Sequence, residues 1–167
     1  MAHRFSAIAA LAAVAAALLL TGCDPQRIGE LEEGVATEAD VRAKFGQPEQ
    51  IWDGSGGARI LEYNRQPAGQ KNYMITIGAD GRMTALRQVL NPGNFARVQP
   101  GMMMEDVRKL LGKPGRVTPY PLKNETAWDW RYLEPPNTAM VFTVWLSPDM
   151  RVLRSASAPD PQATENR

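Results

Sequence analysis

The sequence predicts an α+β protein made of two tandem modules, each with one or two helices packed on an antiparallel sheet. Three observations carry that expectation: an internal repeat, a helix with marked ends in each copy, and strand-like runs in the same order after each helix. "EADVRAKFGQPEQI" (38–51) and "MEDVRKLLGKPGRV" (104–117) align without a gap at an offset of 66, matching Asp40, Val41, Arg42, Gly46 and Pro48 to Asp106, Val107, Arg108, Gly112 and Pro114. Upstream, Ile28, Leu31 and Gly34 match Phe95, Val98 and Gly101 at an offset of 67, so the first copy carries one extra residue. The modules are therefore placed at residues 23–90 and 91–157. The remainder, 158–167, has no apolar periodicity and is expected to be a disordered tail.

The stretch before the first module stands outside the fold. "MAHRF" is a basic start, and the run from Ser6 to Leu20 is almost wholly Ala, Leu, Val and Ile. It is too short to span a bilayer and matches the apolar middle of a secretory signal peptide, assigned to residues 1–22. "LTGC", Leu20 to Cys23, resembles the lipobox of bacterial lipoproteins, in which a cysteine sulfur receives diacylglycerol before cleavage. Cysteine suits that position because its thiolate is a soft, strong nucleophile and the thioether it forms is stable. Cys23 is the only cysteine of the chain, so once acylated it leaves no thiol for a disulfide or a metal. One acyl chain binds a membrane marginally and two or more hold it firmly.

In the first module Thr37 is a plausible N-cap with Asp40 three residues on, and Gly46 followed by Pro48 supplies the stop. Val41 and Phe45 share a face. In the second, Val107, Leu110 and Leu111 form an apolar stripe, but the cap position falls on Met103, which cannot accept amide hydrogen bonds. That helix start is expected to fray or to be buried against something apolar. Both Gly46 and Gly112 are expected at helix ends with positive φ. Short strands at "EQIW" and near Arg116 to Thr118 precede "ARILEYNR", "NYMITIGADGR" and "MTALRQVL" in the first copy, and "TAWDWRY", "AMVFTVWL" and "MRVLRSA" in the second. "GSGG", Gly54 to Gly57, has no phosphate-loop spacing and reads as a hairpin loop.

Composition narrows the chemistry. The formal net charge is +1 and no basic cluster of the size expected for nucleic-acid binding is present. The single histidine, His3, lies in the segment to be removed, so the mature chain has no Ser-His, Cys-His or His-ligated zinc site. Glu105 and Asp106 sit at a helix start, where adjacent residues do not face each other and negative charge favours the helix dipole. The sequence is read as non-enzymatic, with no cofactor. Trp128, Trp130 and Tyr132 share one strand face and are assigned to the core. Alternation along "MVFTVWL" sends Trp145 away from the side of Phe142 and Val144, so Trp145 is the candidate contact residue.

Together, the lipobox, "VQPGMMMEDVRKLLGKP", a W-x-W or L-x-Y strand and a closing hairpin resemble the BamE (SmpA/OmlA) family of outer-membrane lipoproteins. The family's Gly-Met-Thr, following valine and Leu-Gly-x-Pro are met by Gly101, Met102, Val107, Leu111, Gly112 and Pro114, with Met103 in place of the threonine. The first copy has Thr37 but reads "GVAT". The resemblance implies a helix-loop-helix on an antiparallel sheet, a fold similar also to the modules of β-lactamase inhibitor proteins. It further implies contact with subunits of the β-barrel assembly machinery and with anionic phospholipid, through positions matching Leu61, Tyr63, Arg65 and Gln66.

The expectation that follows is a lipid-anchored envelope scaffold supporting outer-membrane β-barrel assembly and envelope integrity. The alternative is a periplasmic inhibitor or ligand-binding module. The anchor is expected in the periplasmic leaflet of the outer membrane, although Asp24 after the lipidated cysteine resembles an inner-membrane retention signal. Replacing Cys23 by alanine is expected to abolish membrane anchoring and metabolic acyl labelling while leaving the fold intact. Persistent labelling of that variant would remove the lipoprotein reading.

Overall fold

A computed structural model describes residues 28–165. The targeting segment and Cys23, within residues 1–27, lie outside the described residues, as do 166 and 167. The element order is α1 (Glu38–Phe45), β1 (Gln50–Asp53), β2 (Arg59–Asn64), β3 (Asn72–Ile77), β4 (Met83–Gln88), α2 (Pro92–Phe95), α3 (Met104–Leu111), β5 (Arg116–Tyr120), β6 (Glu125–Glu134), β7 (Thr138–Leu146), β8 (Val152–Pro159) and α4 (Pro161–Glu165). The strands form two four-stranded antiparallel meanders, β1-β2-β3-β4 and β5-β6-β7-β8. The fold is thus the helix plus antiparallel-sheet module, made twice.

Helix α1 starts where the sequence marks it. The Thr37 hydroxyl accepts from the Asp40 amide at 3.3 Å and the Asp40 carboxylate accepts from the Thr37 amide at 2.8 Å, closing a capping box. Helix α3 has no side-chain cap at Met103. Its start is instead tied by backbone: the Met104 amide donates to the Met150 carbonyl at 2.9 Å, as the Glu38 amide donates to Gly81 at 3.1 Å in the first module. The β7–β8 turn therefore caps α3, where fraying or burial against something apolar is expected from the sequence. That turn holds Met150 at φ 58°, where the first module has Gly81 at φ 78°.

Each core lies between a helix and one sheet face. Val41 and Phe45 meet Leu61, Tyr63, Ile75 and Ile77, whereas Val107 and Leu111 meet Trp128, Trp130, Tyr132, Phe142 and Val144. Both cores use the same polar lock. An aromatic side chain of the second strand donates to the carbonyl of the glycine that ends the helix: the Tyr63 hydroxyl to Gly46 at 3.1 Å, the Trp130 indole to Gly112 at 3.0 Å. A buried Tyr or Trp needs such a partner for its polar atom. Burial also pushes the Tyr63 phenol above its ordinary pKa.

The modules are joined across the outer face of the first sheet. Glu62 on β2 points away from its own core yet is 0% exposed. Its carboxylate accepts from the Trp52 indole at 3.1 Å, the Arg108 guanidinium at 3.2 Å and the Lys113 amide at 2.8 Å. Asn72 on β3 donates to the carbonyls of Leu111 and Lys113 at 2.9 and 3.2 Å. The C-terminal end of α3 thus serves two sheets, with Val107 and Leu111 in its own core and Arg108 on the neighbour.

The C-terminal segment is ordered along its described part, which corrects the expectation of a disordered tail from residue 158. β8 pairs with β7 as far as Pro159 against Met140. Asp160, 2% exposed, forms a 2.6 Å ion pair with Arg131. A short polar segment without periodicity gives no local sign of such a partner.

Gly46 and Gly112 both have positive φ, at 82° and 79°, in a region essentially restricted to glycine. Their surroundings differ. A Cβ at Gly46 would meet nothing within 4 Å, whereas at Gly112 it would lie 2.9 Å from Asn72 Nδ2. Gly46→Ala is expected to cost about 1 kcal/mol from backbone strain. Gly112→Ala is expected to cost more, because it also displaces Asn72 from the seam. Thermal melts of the two variants check the order.

Candidate functional site

The outer face of the second sheet is the candidate site, and its shape follows from residue size. Facing away from the core are Thr118 on β5, Ala127 and Asp129 on β6, Val141 and Thr143 on β7, and Ala156 and Ala158 on β8. Small side chains in the middle of a twisted sheet make a dish. Taller groups form its rim: Tyr120 and Trp145 toward one end, Pro67, Pro161 and Gln162 toward the other. The resulting concavity is about 490 Å³, within the range of ligand sites.

Polar groups are few and placed. Asp129 stands on the floor and accepts from the Thr143 hydroxyl at 2.7 Å. Arg131, paired with Asp160, fixes the wall where β8 leads into α4. Arg116 is exposed beside Asp129, its register partner across β5 and β6. Among the described residues neither Arg116 nor Asp129 has an ion-pair partner. Trp145 is partly buried, with the Arg154 guanidinium 4.6 Å from its ring centroid. Arg154 in turn is paired with Glu125, and that hydrogen bond holds the Glu125 carboxyl below its ordinary pKa. Among the described residues no group of three His, Cys, Asp or Glu side chains is placed to hold a metal ion.

The sequence-derived contact residues divide. Leu61 and Tyr63 are 0% and 2% exposed in the first core, so no partner touches them in the folded protein. That is a correction, and its reason is parity: the strand face they share is the one α1 covers. Arg65 lies over the Phe45 ring, its guanidinium carbon 5.4 Å from the centroid. Gln66 is used within the chain, its amide donating to the Arg131 carbonyl at 2.6 Å and accepting from the Arg131 amide at 3.2 Å. Gly115 permits that approach, since a Cβ there would lie 2.5 Å from Gln66 Oε1. Trp145 faces outward from β7 onto the rim of the concavity.

Sequence reasoning passed over Asp129, Thr143 and Arg116. The signal was available in the run of small residues alternating with Trp128, Trp130, Phe142 and Val144, which marks an outer face unusually poor in bulk.

No family model matches the chain. Nor does any curated protein. Among solved structures the chain is similar to a DUF4309 family protein (YjgB) from Bacillus subtilis subsp. subtilis str. 168, at 23% identity over 81% of this chain and 86% of that one, with a TM-score of 0.33. It is also similar to a "putative beta-lactamase inhibitor protein" from Streptococcus mutans, at 9% identity over 74% of this chain and 82% of that one, again with a TM-score of 0.33. The resemblance to the BamE family is overturned: no family model matches the chain, and two of the four residues carried over from it, Leu61 and Tyr63, are core.

Removing Trp145 separates a surface role from a core role. Trp145→Ala is expected to lower stability by about 1 kcal/mol or less, the scale of an exposed cation–π contact. Trp130→Ala is expected to cost about 3 to 5 kcal/mol. Chemical denaturation of the two variants measures the contrast.

Proposed function

We propose that the protein is a non-enzymatic binding module of the cell envelope, held at a membrane through a lipid on Cys23, that captures a ligand or a segment of a soluble protein on the concave face of its second sheet. It is an inhibitor-like or ligand-binding role rather than a catalytic one. One observation carries it: the same sheet face that is covered at its centre in the first module by Arg108 and the C-terminal end of α3 is dished and open in the second, with Trp145 on its rim. Tryptophan is enriched where binding energy concentrates, and a concavity with few convergent polar groups is the usual form of a recognition site.

The reading is supported on the chemical side by the residue inventory. The mature chain would hold no histidine and no free thiol, which leaves recognition by shape, hydrogen bonds and charge.

Photo-cross-linking in the cells that make the protein tests it. A benzophenone side chain introduced at Ala158, inside the concavity, is expected to give a discrete adduct, and the same group at Ala43 on the exposed side of α1 is expected to give none. Trp145→Ala is expected to weaken the adduct by about tenfold or more. Absence of any adduct at Ala158, or the same adduct from both positions, would overturn the proposal.

A further inference from the structure

The repeat allows the two outer faces to be compared position by position. Glu62 pairs in register with Gln50 and Met74, and Asp129 pairs with Arg116 and Thr143. Asp129 is therefore the counterpart of Glu62. By the same register, Ala127 stands where the first sheet has Ile60, and Val141 where it has Asn72. An acid is kept at the centre of the face, while beside it isoleucine gives way to alanine and methionine to threonine.

On the first sheet this acid is met by a helix. Arg108, in the last turn of α3, reaches Glu62 just before the chain leaves the helix at Gly112, and the Lys113 amide completes the contact. The approach to that helix is also specific. After β4 the chain enters α2 at Asn91 and Pro92, with the Asn94 amide donating to the Asn91 carbonyl at 3.1 Å. The second sheet is left in the same way: after β8 the chain enters α4 at Asp160 and Pro161, with the Ala163 amide donating to the Asp160 carbonyl at 3.1 Å. α4 thus repeats α2.

Resting on the reading above, we propose that the concave face receives a helix from a partner protein, seated as α3 is seated on the first sheet, with an arginine of its last turn on Asp129. Charge complementarity selects the arginine. Asp129 holds one hydrogen bond from Thr143, and a planar guanidinium suits its remaining acceptor positions. Arg116, at the position of Gln50 in the first sheet, offers a cation to an acidic side chain on the same helix. With Ala127 in place of Ile60 and Thr143 in place of Met74, the floor is lower than in the first module, so there is room for apolar side chains on the partner helix beside that arginine.

The chain supplies its own probe. A synthetic peptide of residues 102–116, helix-stabilised by a lactam between positions 105 and 109, is titrated into the full protein while amide shifts and Trp145 fluorescence are followed. Saturable shifts confined to β6, β7 and the rim of the concavity are expected. Asp129→Lys in the protein, or Arg108→Glu in the peptide, is expected to weaken binding by about tenfold or more, and combining the two is expected to restore part of the loss. Shifts restricted to the free edge of β8 would identify strand addition, and shifts that depend on protein concentration without peptide would identify a second copy; either overturns the inference. So does an absence of saturable change, or an affinity indifferent to both charge reversals. If the peptide fails while the Ala158 adduct persists, this inference falls and the binding-module reading stands; if the adduct is absent, that reading falls.

Discussion

The arrangement of the two modules depends on the buried carboxylate of Glu62. A charge removed from water must be paired and hydrogen-bonded or its desolvation is unrecovered. Here three donors converge on it, two of them from the second module. Because those two are Arg108 in the last turn of α3 and the Lys113 amide just beyond it, the contact fixes both the position of that helix and the direction in which the chain leaves it. β5 then starts from a defined point, and the second sheet is placed with Pro67 of the first module at the rim of its outer face. The open concavity is a consequence of how one acid is satisfied elsewhere.

Around that contact the modules share a framework of backbone bonds while their side chains diverge. Gly34 donates to Met83 and Gly101 to Val152, each at 2.7 Å, tying the approach to each helix to its last strand. Tyr63 in one module and Trp130 in the other close onto the helix-ending glycine. What differs is the outer face, where Ile60, Asn72 and Met74 have become Ala127, Val141 and Thr143. The repeated part is the part that makes the fold, and the altered part is the outer face of each sheet.

Much of this was legible because its causes are local. The Thr37 and Asp40 capping pair, the glycines after each helix and the alternation along "MVFTVWL" act over a few residues, and each appears where the sequence places it. Less was legible where the cause is distant. Nothing near Glu62 announces that Arg108 will meet it, since a lone glutamate in a strand reads as a solvated position. Asp160 was hidden for the same reason, its partner Arg131 standing on another strand. Leu61 and Tyr63 show the hazard of transferring surface roles by likeness: their alternation fits either face, and only the seating of α1 decides. Trp145 could be placed on the outer side by parity, but the dish beside it emerges only when Ala127, Thr143 and Ala158 are brought together from separate strands.

The seam also bears on how the chain is made. Synthesis delivers the first module before the second, and domains fold largely as they emerge. Until α3 arrives, the outer face of β2 and β3 meets water. A seam built from hydrocarbon would at that moment be an adhesive surface for neighbouring nascent chains. Glu62 and Asn72, set beside Ile60 and Met74, instead make the waiting face partly polar, and the attraction they later contribute is specific to one guanidinium and a few backbone groups. Polar residues at the seam therefore make the half-made protein less adhesive than a hydrocarbon seam would, besides fixing the finished one.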